Sequence, residues 1–516
     1  MRTVKTANPL DRYTEIGALS AKVRIATKRI VVPLAVLLAL ETMYLGISGN
    51  AGVEAFAMIG IGTCIALNTW SYGAIGLPLL PMFVLQTLII YATPIASAHE
   101  SILTYPPNFV FSAGVEVLTF DLALVAFWRM GMQMFHPTKP VSYALREFNR
   151  SGMKGWTRLG SGMIFLTTAI QVMLRTPGFA SLFASLPSGA DSIIYAFVSV
   201  MGACGFFLVS MVVGAREASA ATRISFWILL IANAIMSTSD FLLATAAANL
   251  ITVAIGFFWS SGRIPWKYLT IVMIALSFLN TGKSTMRARY WESEDAAATE
   301  ITLAQLPAVY VEWSQVSFDA MMENSSERKD PGISTSAAKK NQTLLDRIDN
   351  LQNLLFVIDA VQTDHISILH GQTYALIPPL LVPRVLWPDK PRSHEGQILL
   401  NVHFGRQDLA STFTTYIAWG LLPEAYGNFG PIAGSIFLGA IMGLFFAWVE
   451  NLTARKLVVS MEGFLSLSLL MNLMNSFEMV ASVLVTAVFQ SFVIIIAASY
   501  PFVRRTVART PDPEED

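Results

Sequence analysis

The stretch from Leu380 to Glu424 concentrates side chains that could do chemistry in an otherwise apolar chain. Its charged residues and histidines are Arg384, Asp389, Lys390, Arg392, His394, Glu395, His403, Arg406, Asp408 and Glu424. Two proline-bounded turns, at Pro383 and at Pro388–Pro391, interrupt the stretch, so it cannot form one regular helix. Because a long apolar run follows it, we expect this polar stretch to lie beside a membrane and to hold the functional site.

Four basic residues of the stretch have the chemistry to bind phosphate. They are Arg384, Lys390, Arg392 and Arg406. Guanidinium groups bind phosphate oxygens in pairs, and clustered cations stabilise the charge that develops on a diphosphate leaving group without a metal. The proline turns favour this interpretation for Arg384 and Lys390, because proline fixes φ and orients its neighbours. Solvated loop charges or contacts with lipid headgroups would explain the same composition.

The stretch also contains side chains that could act as a general base towards a hydroxyl group. The candidates are His394, Glu395, His403, Asp408 and Glu424. A histidine or glutamate in an exposed loop is more often only solvated. The histidines do not have helical metal-binding spacing, and the sequence contains no phosphate loop, zinc motif or nucleophile elbow. We therefore expect no metal and no cofactor.

Four carboxylates fall within apolar runs, namely Glu41, Glu116, Asp121 and Asp240. Each would cost about 2.5–3.5 kcal/mol at the centre of a membrane helix. Glu116 and Asp121 are five residues apart, so they do not share a helix face. They indicate either a proton or ion route, as in a transporter, or side chains that pair within the bundle or lie near span ends.

The composition is that of a polytopic membrane protein, because 54% of the residues are hydrophobic and 14% are charged, against about 25% in soluble domains. Basic and acidic residues are equal in number, and we predict no nucleic-acid partner. The two cysteines, Cys64 and Cys204, lie in apolar runs, which excludes a disulfide framework. The polar first 29 residues precede an apolar run that lacks a cleavage site, so we expect a retained first span.

A span needs about 20 apolar residues to cross the hydrocarbon core of a membrane. On this criterion we predict an all-α polytopic fold of about twelve spans with one large outward-facing loop. The predicted spans are Ile30–Ile47, Glu54–Trp70, Gly73–Ala98, Leu103–Trp128, Leu159–Leu174, Ser192–Ala215, Ile224–Thr238, Phe241–Ser260, Trp266–Thr281, Ala425–Val449, Leu457–Phe477 and Met479–Val503.

The basic residues cluster in alternate loops, which places both termini in the cytoplasm by the positive-inside rule. We predict a membrane bundle of about nine spans over residues 1–282 and a periplasmic loop region over 283–424. Further spans over 425–503 and a cytoplasmic tail over 504–516 complete the chain. The loop region holds 29 of the 70 charged residues, so we expect a substantial element rather than a connector.

Three segments of this loop region have distinct patterns. Residues 323–342 have the composition of a disordered segment. An amphipathic helix is predicted next, with an apolar face at Leu344, Ile348, Leu351, Leu355 and Ile358 and a polar face at Asp346, Arg347, Asp349 and Asn353. It would lie on the membrane surface or cover a cavity. The apolar residues 374–382 are too few to span, so we expect them to be re-entrant or interfacial.

Two motifs lie within residues 382–430, namely VPRVLWPDKP at 382–391 and GLLPEAYGNFG at 420–430. Together they resemble the O-antigen polymerase family, the Wzy-type oligosaccharide repeat-unit polymerases. The resemblance implies a membrane-embedded glycosyltransferase with a fold similar to the GT-C class or the O-antigen ligases. Such enzymes transfer a glycan from an undecaprenyl-diphosphate carrier to another lipid-linked repeat unit, without a metal, at the periplasmic face of the bacterial inner membrane.

Carried onto this chain, the resemblance makes Arg384 and Lys390 diphosphate contacts and places Glu424 where the loop returns to the membrane. With the residue chemistry above, we predict the catalytic residues to be Arg384, Lys390, Arg392, Glu424, His394 and His403. We predict substrate contacts at Arg406, Asp389, Trp387, Tyr426, Asn428 and Arg347. The expected partners are the lipid bilayer, an undecaprenyl-diphosphate-linked oligosaccharide, a chain-length regulator and a flippase.

Other functions agree with the same residues. An O-antigen ligase-like transferase would use the same chemistry on a different acceptor. A secondary transporter or lipid-glycan flippase would use the carboxylates within the spans. A non-catalytic assembly scaffold would not depend on Arg384 or Arg392.

Overall fold

A computed structural model describes residues 15–145, 153–176, 178–179, 190–291, 301–327, 349–383, 386–387, 389–413 and 417–507. The chain is mostly helical and forms two compact units. The described residues of Met1–Leu145 and Ile348–Asp516 form the first unit, and those of Arg146–Arg347 form the second.

The first unit contains two runs of helices joined by a small sheet. The first run is α1 (Ile16–Ile47), α2 (Val53–Gly73), α3 (Leu79–Ala96), the short α4 (Glu100–Leu103) and α5 (Pro107–Met134), followed by strand β1 (Val141–Leu145). The second run is α12 (Leu351–Gln362), α13 (Gln372–Ala375), α14 (Ile377–Leu381), α15 (Glu395–His403), α16 (Leu421–Phe429), α17 (Ala433–Thr453), α18 (Met461–Met474) and α19 (Ala481–Ser499), followed by β2 (Val503–Val507).

The second unit consists of the intervening helices. These are α6 (Met153–Leu174), α7 (Ala190–Gly214), α8 (Ala220–Thr238), α9 (Leu243–Ser261), α10 (Trp266–Trp291) and α11 (Leu306–Glu327). One apolar core joins α6 to α9 around Phe206 and Phe226, and another surrounds Trp313 of α11. The indole N–H of Trp313 donates to the carbonyl oxygen of Leu279, so α11 packs directly on α10.

Nine helices in the described part of the chain are long and apolar enough to cross a membrane. They are Ile16–Ile47, Val53–Gly73, Leu79–Ala96, Pro107–Met134, Ile193–Gly214, Ala220–Thr238, Leu243–Ser261, Ala433–Thr453 and Ala481–Ser499. The chain is therefore a multi-pass, mostly helical membrane protein, as the composition predicted. The predicted number of about twelve spans is not confirmed.

Small residues let α5 and α17 approach closely at the centre of the first unit. Gly439 and Gly443 form a GxxxG pair on α17. A Cβ atom at Gly439 would lie 2.8 Å from the carbonyl oxygen of Phe120, and one at Gly443 would clash with that of Leu124. Backbone contact of this kind is a common basis of helix packing in membranes, where apolar side chains gain nothing by leaving lipid.

The two ends of the first unit carry different structural elements. One end, the sheet end, carries the antiparallel pair β1 and β2 and the bridge between Glu15 and Leu457. The opposite end, the distal end, carries α12. Asn350, just before this helix, donates from its backbone N–H to the carbonyl oxygen of Ile90, in the C-terminal half of α3. The first and last described residues therefore lie at one end of the unit, and the polar stretch begins at the other.

Several span boundaries differ from those predicted by apolar length. The predicted span Gly73–Ala98 begins as a helix only at Leu79, because residues 74–78 form a loop held by a buried carboxylate. The predicted span Ala425–Val449 is broken at Gly430–Ile432, where the backbone adopts positive φ angles of 78° and 60°. α18 has only 14 residues, and α10 continues ten residues beyond Thr281 to Trp291.

That buried carboxylate belongs to Glu450 of α17. Its Oε2 atom accepts hydrogen bonds from the indole N–H groups of Trp128, at 2.8 Å, and Trp70, at 3.3 Å. Its Oε1 atom accepts from the backbone N–H of Ile75 at 2.9 Å. A single side chain thus ties α2, α5 and the loop before α3 to α17 near the sheet end.

Candidate functional site

α12 is buried on most of its surface at the distal end. Leu351, Leu354, Leu355, Val357 and Ile358 are fully buried against the neighbouring helices. The residues that stay open to water fall mainly on one stripe, formed by Gln352, Phe356, Asp359 and Gln362 at spacings of four and three residues. This narrow open stripe leaves those side chains accessible at the distal end of the unit.

Arg406 lies over this stripe. Its guanidinium carbon is 5.1 Å from the centre of the Phe356 ring and 5.9 Å from that of Trp419. Within the described residues the guanidinium donates one hydrogen bond, from Nη1 to the carbonyl oxygen of Ala418, at 3.2 Å. Burial lowers the pKa of this guanidinium below its ordinary value. Because a guanidinium carries five N–H donors, several donors of Arg406 have no acceptor among the described residues.

Trp419 fixes the ring on which Arg406 stacks. Its indole N–H donates to the Oδ1 atom of Asn401 at 2.6 Å, and the ring is fully buried. Phe356 packs edge-on against Trp419, with ring centroids 6.0 Å apart. The guanidinium is therefore positioned by two aromatic rings that are themselves held by α15 and α12. Cation–π contacts of this kind are worth about 0.5–2 kcal/mol.

Tyr105, in the turn between α4 and α5, joins this group. Burial raises the pKa of its hydroxyl, the negative charges of Asp359 and Asp349 raise it further, and the positive charge of Arg406 lowers it. Asp349 also pairs with His99, whose Nδ1 atom lies 3.3 Å from its carboxylate. We call Tyr105, Phe356, Asp359 and Arg406 the distal cluster; it combines a cation, a carboxylate and a hydroxyl on one partly open face.

Beneath this cluster, α16 carries three of the residues predicted from the sequence. Glu424 is fully buried and accepts hydrogen bonds from the hydroxyl of Thr373, at 2.7 Å, and the backbone N–H of Ala481, at 2.6 Å. Asn428 donates to the same Thr373 hydroxyl at 2.9 Å. Within the residues described, this network joins α13, α16 and α19 and is closed to water. Glu424 and Asn428 therefore hold these three helices together and do not face open space in this structure.

Tyr426 links α16 to the stripe. Its hydroxyl accepts a hydrogen bond from Nε2 of Gln362 at 3.3 Å. The Tyr426 side chain is otherwise buried, with 1% of its surface exposed. Of the three predicted residues on α16, Tyr426 is thus the one that reaches the open face of α12.

The carboxylates inside the bundle have different environments. Glu116 of α5 accepts hydrogen bonds from the backbone N–H of Ile432, at 2.8 Å, and from the hydroxyl of Ser435, so it holds the break between α16 and α17. Asp240 pairs with Arg175 at 2.7 Å in the second unit. Asp121 is fully buried, and neither of its oxygens has a hydrogen-bond partner among the residues described. Glu41 is partly exposed on α1.

The predicted basic and histidine residues do not converge on one point. Lys390 donates from Nζ to the carbonyl oxygens of Leu380, at 2.8 Å, and Val382, at 2.6 Å, so it holds the C-terminus of α14. Arg392 pairs with Glu395 at 3.1 Å at the start of α15. This pair is separated from Arg406, beyond the other end of α15, by the length of a nine-residue helix, about 13 Å.

The two predicted histidines also have nearby partners. His394 forms a hydrogen bond with Gln397 at 2.8 Å, and His403 with the carbonyl oxygen of Ser367 at 2.6 Å. Trp387 and Asp389 are exposed on the proline turn. Arg384 and Arg347, and the predicted disordered segment from residue 328 on, lie outside the described residues. Their predicted roles stay predictions, as do those of the other residues of the stretch.

Sequence reasoning did not single out Tyr105, Phe356 or Asp359. The helical period of the α12 segment was recognised, but Asp349 and Asn353, predicted on its polar face, are buried. Asp349 pairs with His99, and Asn353 donates to Asn350 at 2.7 Å. Asp359 could have been found from its position on the helix. It directly follows the apolar Ile358 and shares a helix face with Phe356, three residues earlier.

Comparison with known proteins adds no identification. No protein-family profile, no curated protein and no solved structure matches the chain. Among the described residues no three histidine, cysteine, aspartate or glutamate side chains are grouped so that they could hold a metal ion.

Proposed function

We propose that this protein is a membrane glycosyltransferase that takes a glycan from a lipid diphosphate carrier and joins it to another lipid-linked repeat unit. The carrier we propose is undecaprenyl diphosphate, and the setting is the periplasmic face of a bacterial inner membrane. The resemblance of residues 382–391 and 420–430 to the Wzy-type polymerases supports this proposal. The expected polymerase partners, a chain-length regulator and a flippase, belong to the same proposal.

The observation that carries the proposal is the position of Arg406. It is a partly desolvated cation, stacked on Phe356, with one described hydrogen bond and further N–H donors available. Charge-assisted hydrogen bonds to phosphate strengthen when water is excluded, so such a guanidinium can stabilise a departing diphosphate. Its place at the distal end, opposite β2 and the chain's last described residues, agrees with a substrate site on the outer side of the membrane.

The proposal is tested by the glycan profile of the organism. Surface glycan and lipid-linked glycan are run on gels for the parent strain, a deletion strain, and the deletion strain carrying wild-type protein, Arg406→Ala or Arg384→Ala. Arg455→Ala is the matched control, because Arg455 is exposed in the loop between α17 and α18, at the sheet end. The amount of each variant in the membrane is measured in parallel.

We expect the deletion to collapse a long ladder to a single capped repeat. Wild-type protein and Arg455→Ala should restore the ladder, whereas Arg406→Ala should not. A ladder that persists in the deletion strain would exclude polymerase activity. Polymer that is made but stays on its lipid carrier would move the assignment to an O-antigen ligase-like transferase.

One observation favours a second candidate, a secondary transporter or flippase. Asp121 lies midway along α5, is fully buried, and has no hydrogen-bond partner in the described part of the chain. A carboxylate in that position is costly unless it carries a proton or binds a cation. If Asp121→Asn abolishes glycan export while Arg406→Ala retains the full ladder, the transporter replaces the polymerase.

A further inference from the structure

We propose that Asp359 is the general base that activates the acceptor hydroxyl. This inference rests on the proposed glycosyl transfer. It assigns a catalytic role to a residue outside the two sequence motifs, on the open stripe of α12.

The position of Asp359 on its helix supports this role. It lies three residues after Phe356, so both side chains share one face of α12. The Phe356 ring holds Arg406 at 5.1 Å. The carboxylate is therefore placed on the same side as the proposed diphosphate contact, on a rigid element whose opposite face is anchored by Leu354 and Ile358, both fully buried.

The chemistry of the neighbourhood also points to a substrate hydroxyl. Within the described residues the Asp359 carboxylate forms no hydrogen bond or ion pair, although buried carboxylates of the same unit, such as Glu424 and Glu116, are fully engaged. Asp359 and Arg406 act electrostatically on the same group, the hydroxyl of Tyr105. A hydroxyl-sized group can therefore lie within range of both charges at once.

The proposed step is a single displacement. The acceptor hydroxyl oxygen attacks the anomeric carbon of the donor glycan, and its proton passes to the Asp359 carboxylate. The bond from that carbon to the lipid diphosphate breaks, and its electron pair leaves with the diphosphate beside Arg406. Asp359 then releases the proton to water. Attack opposite to the leaving group inverts the anomeric configuration of the transferred sugar.

The test compares Asp359→Asn with Asp359→Glu and Asp364→Asn in the deletion strain. Asp364 is an exposed aspartate just after the end of the same helix, which makes its variant a matched control. Loss of a general base costs a typical factor of about 10²–10⁴ in rate. We expect Asp359→Asn to lose the long ladder, Asp359→Glu to keep part of it, and Asp364→Asn to keep all of it.

Binding separates a missing base from a damaged site. Purified full-length variants are titrated with undecaprenyl diphosphate, and the rise in unfolding temperature is recorded. Asp359→Asn should bind undecaprenyl diphosphate as tightly as wild type or more tightly, because it removes a negative charge near Arg406. Arg406→Ala should weaken it at least tenfold.

A full ladder from Asp359→Asn would overturn the role of Asp359 and leave the proposed function standing. Equal loss of the ladder in Asp359→Asn and Asp359→Glu, with weaker binding of undecaprenyl diphosphate in both, would show a structural role and overturn the inference as well. A deletion strain with an unchanged ladder would instead remove the proposed function itself.

Discussion

The carboxylate of Glu424 accepts a hydrogen bond from the backbone N–H of Ala481 at 2.6 Å, which ties the short helix α16 to the first residue of α19. Its other oxygen accepts from Thr373 at 2.7 Å. α16 packs against α12, and its Tyr426 accepts a hydrogen bond from Gln362 of the stripe, so the position of Tyr426 and of the stripe depends on this buried acid. The site is therefore supported by a titratable group that does not itself face solvent.

Glu424 should make stability depend on pH. α16 is outside the nine candidate spans, and burial raises the pKa of Glu424 to about 7 from its ordinary 4.5, although both hydrogen bonds lower it. Because the folded state holds this proton more tightly, stability from this group is fully present below pH 4.5 and is lost as pH rises to about 7. The loss is of the order of 3 kcal/mol.

Glu424→Gln should remove that dependence. The amide resembles the protonated acid, since its oxygen accepts from Ala481 and its nitrogen donates to Thr373. We expect the variant to unfold within about 1 kcal/mol of wild type at pH 5 and to be the more stable protein at pH 8. Unfolding temperatures in detergent at both pH values measure this. If the unfolding temperature of Glu424→Gln fell between pH 5 and pH 8 as much as that of wild type, the assignment would be contradicted.

Glu450 should be essential for the packing of the sheet end. Glu450→Gln replaces one acceptor oxygen by an NH2 donor. Depending on which oxygen is replaced, either both indole N–H groups, of Trp70 and Trp128, or the backbone N–H of Ile75 lose their acceptor. An unsatisfied buried donor costs about 1–3 kcal/mol. We expect a lower unfolding temperature, and a still lower one for Glu450→Ala.

The control for Glu450 is Glu54→Gln on the exposed surface of α2. A substitution at such a position changes stability by about 0.5 kcal/mol or less. Equal effects at the two positions would show that the hydrogen bonds to Glu450 from Trp70, Trp128 and Ile75 do not contribute to stability.

Replacing arginine by lysine, which lacks the planar guanidinium group, should have different effects at Arg392 and at Arg406. Arg392 forms a half-exposed pair with Glu395, whereas Arg406 is stacked on aromatic rings. At Arg406, an ammonium group in place of the guanidinium loses the paired hydrogen bonds to phosphate and the stacking on the aromatic rings. We expect Arg406→Lys to shorten the glycan ladder and Arg392→Lys to leave it long. The reverse result would return the predicted role of diphosphate contact to the proline turn.

The sequence was sufficient to predict the membrane class and the helical character of the chain, because apolar length depends on composition alone. It was not sufficient to place the break at Gly430–Ile432. Residues 425–449 contain no charged residue, and a hydropathy average does not register the Gly430–Pro431 pair, the positive φ angles or the hydrogen bond from Ile432 to Glu116. Glu116, for which the sequence left open an ion route or pairing within the bundle, accepts a hydrogen bond from that broken backbone.

The distal cluster was harder to predict for a related reason. A helical period tells which residues share a face, but not how many faces are covered by neighbours. α12 is buried on several sides, so Asp349 and Asn353 are enclosed while Asp359 stays on the open stripe. The contact between Arg406 and Phe356 joins residues 50 positions apart, and no local pattern encodes it.

The GxxxG pair on α17 gives the sharpest test of the packing at the centre of the first unit. A methyl group at Gly443 would clash with the carbonyl oxygen of Leu124, a backbone atom that cannot rotate away. α5 and α17 would have to separate, and overpacking of this kind costs about 1–3 kcal/mol. We therefore expect Gly443→Ala to lower the unfolding temperature and to reduce the amount of protein in the membrane.

Gly46→Ala is the matched control for Gly443→Ala. Gly46 lies in the last turn of α1 in the same unit, and a Cβ atom there would be 3.9 Å from Val53, an ordinary van der Waals distance. Alanine favours helix over glycine by up to about 1 kcal/mol, so this variant should be neutral or more stable. If both variants had the same unfolding temperature as wild type, close backbone contact between α5 and α17 would not determine stability. The bundle would then depend mainly on side-chain interactions such as those of Glu450, and Glu450→Ala would remain the most destabilising of the variants.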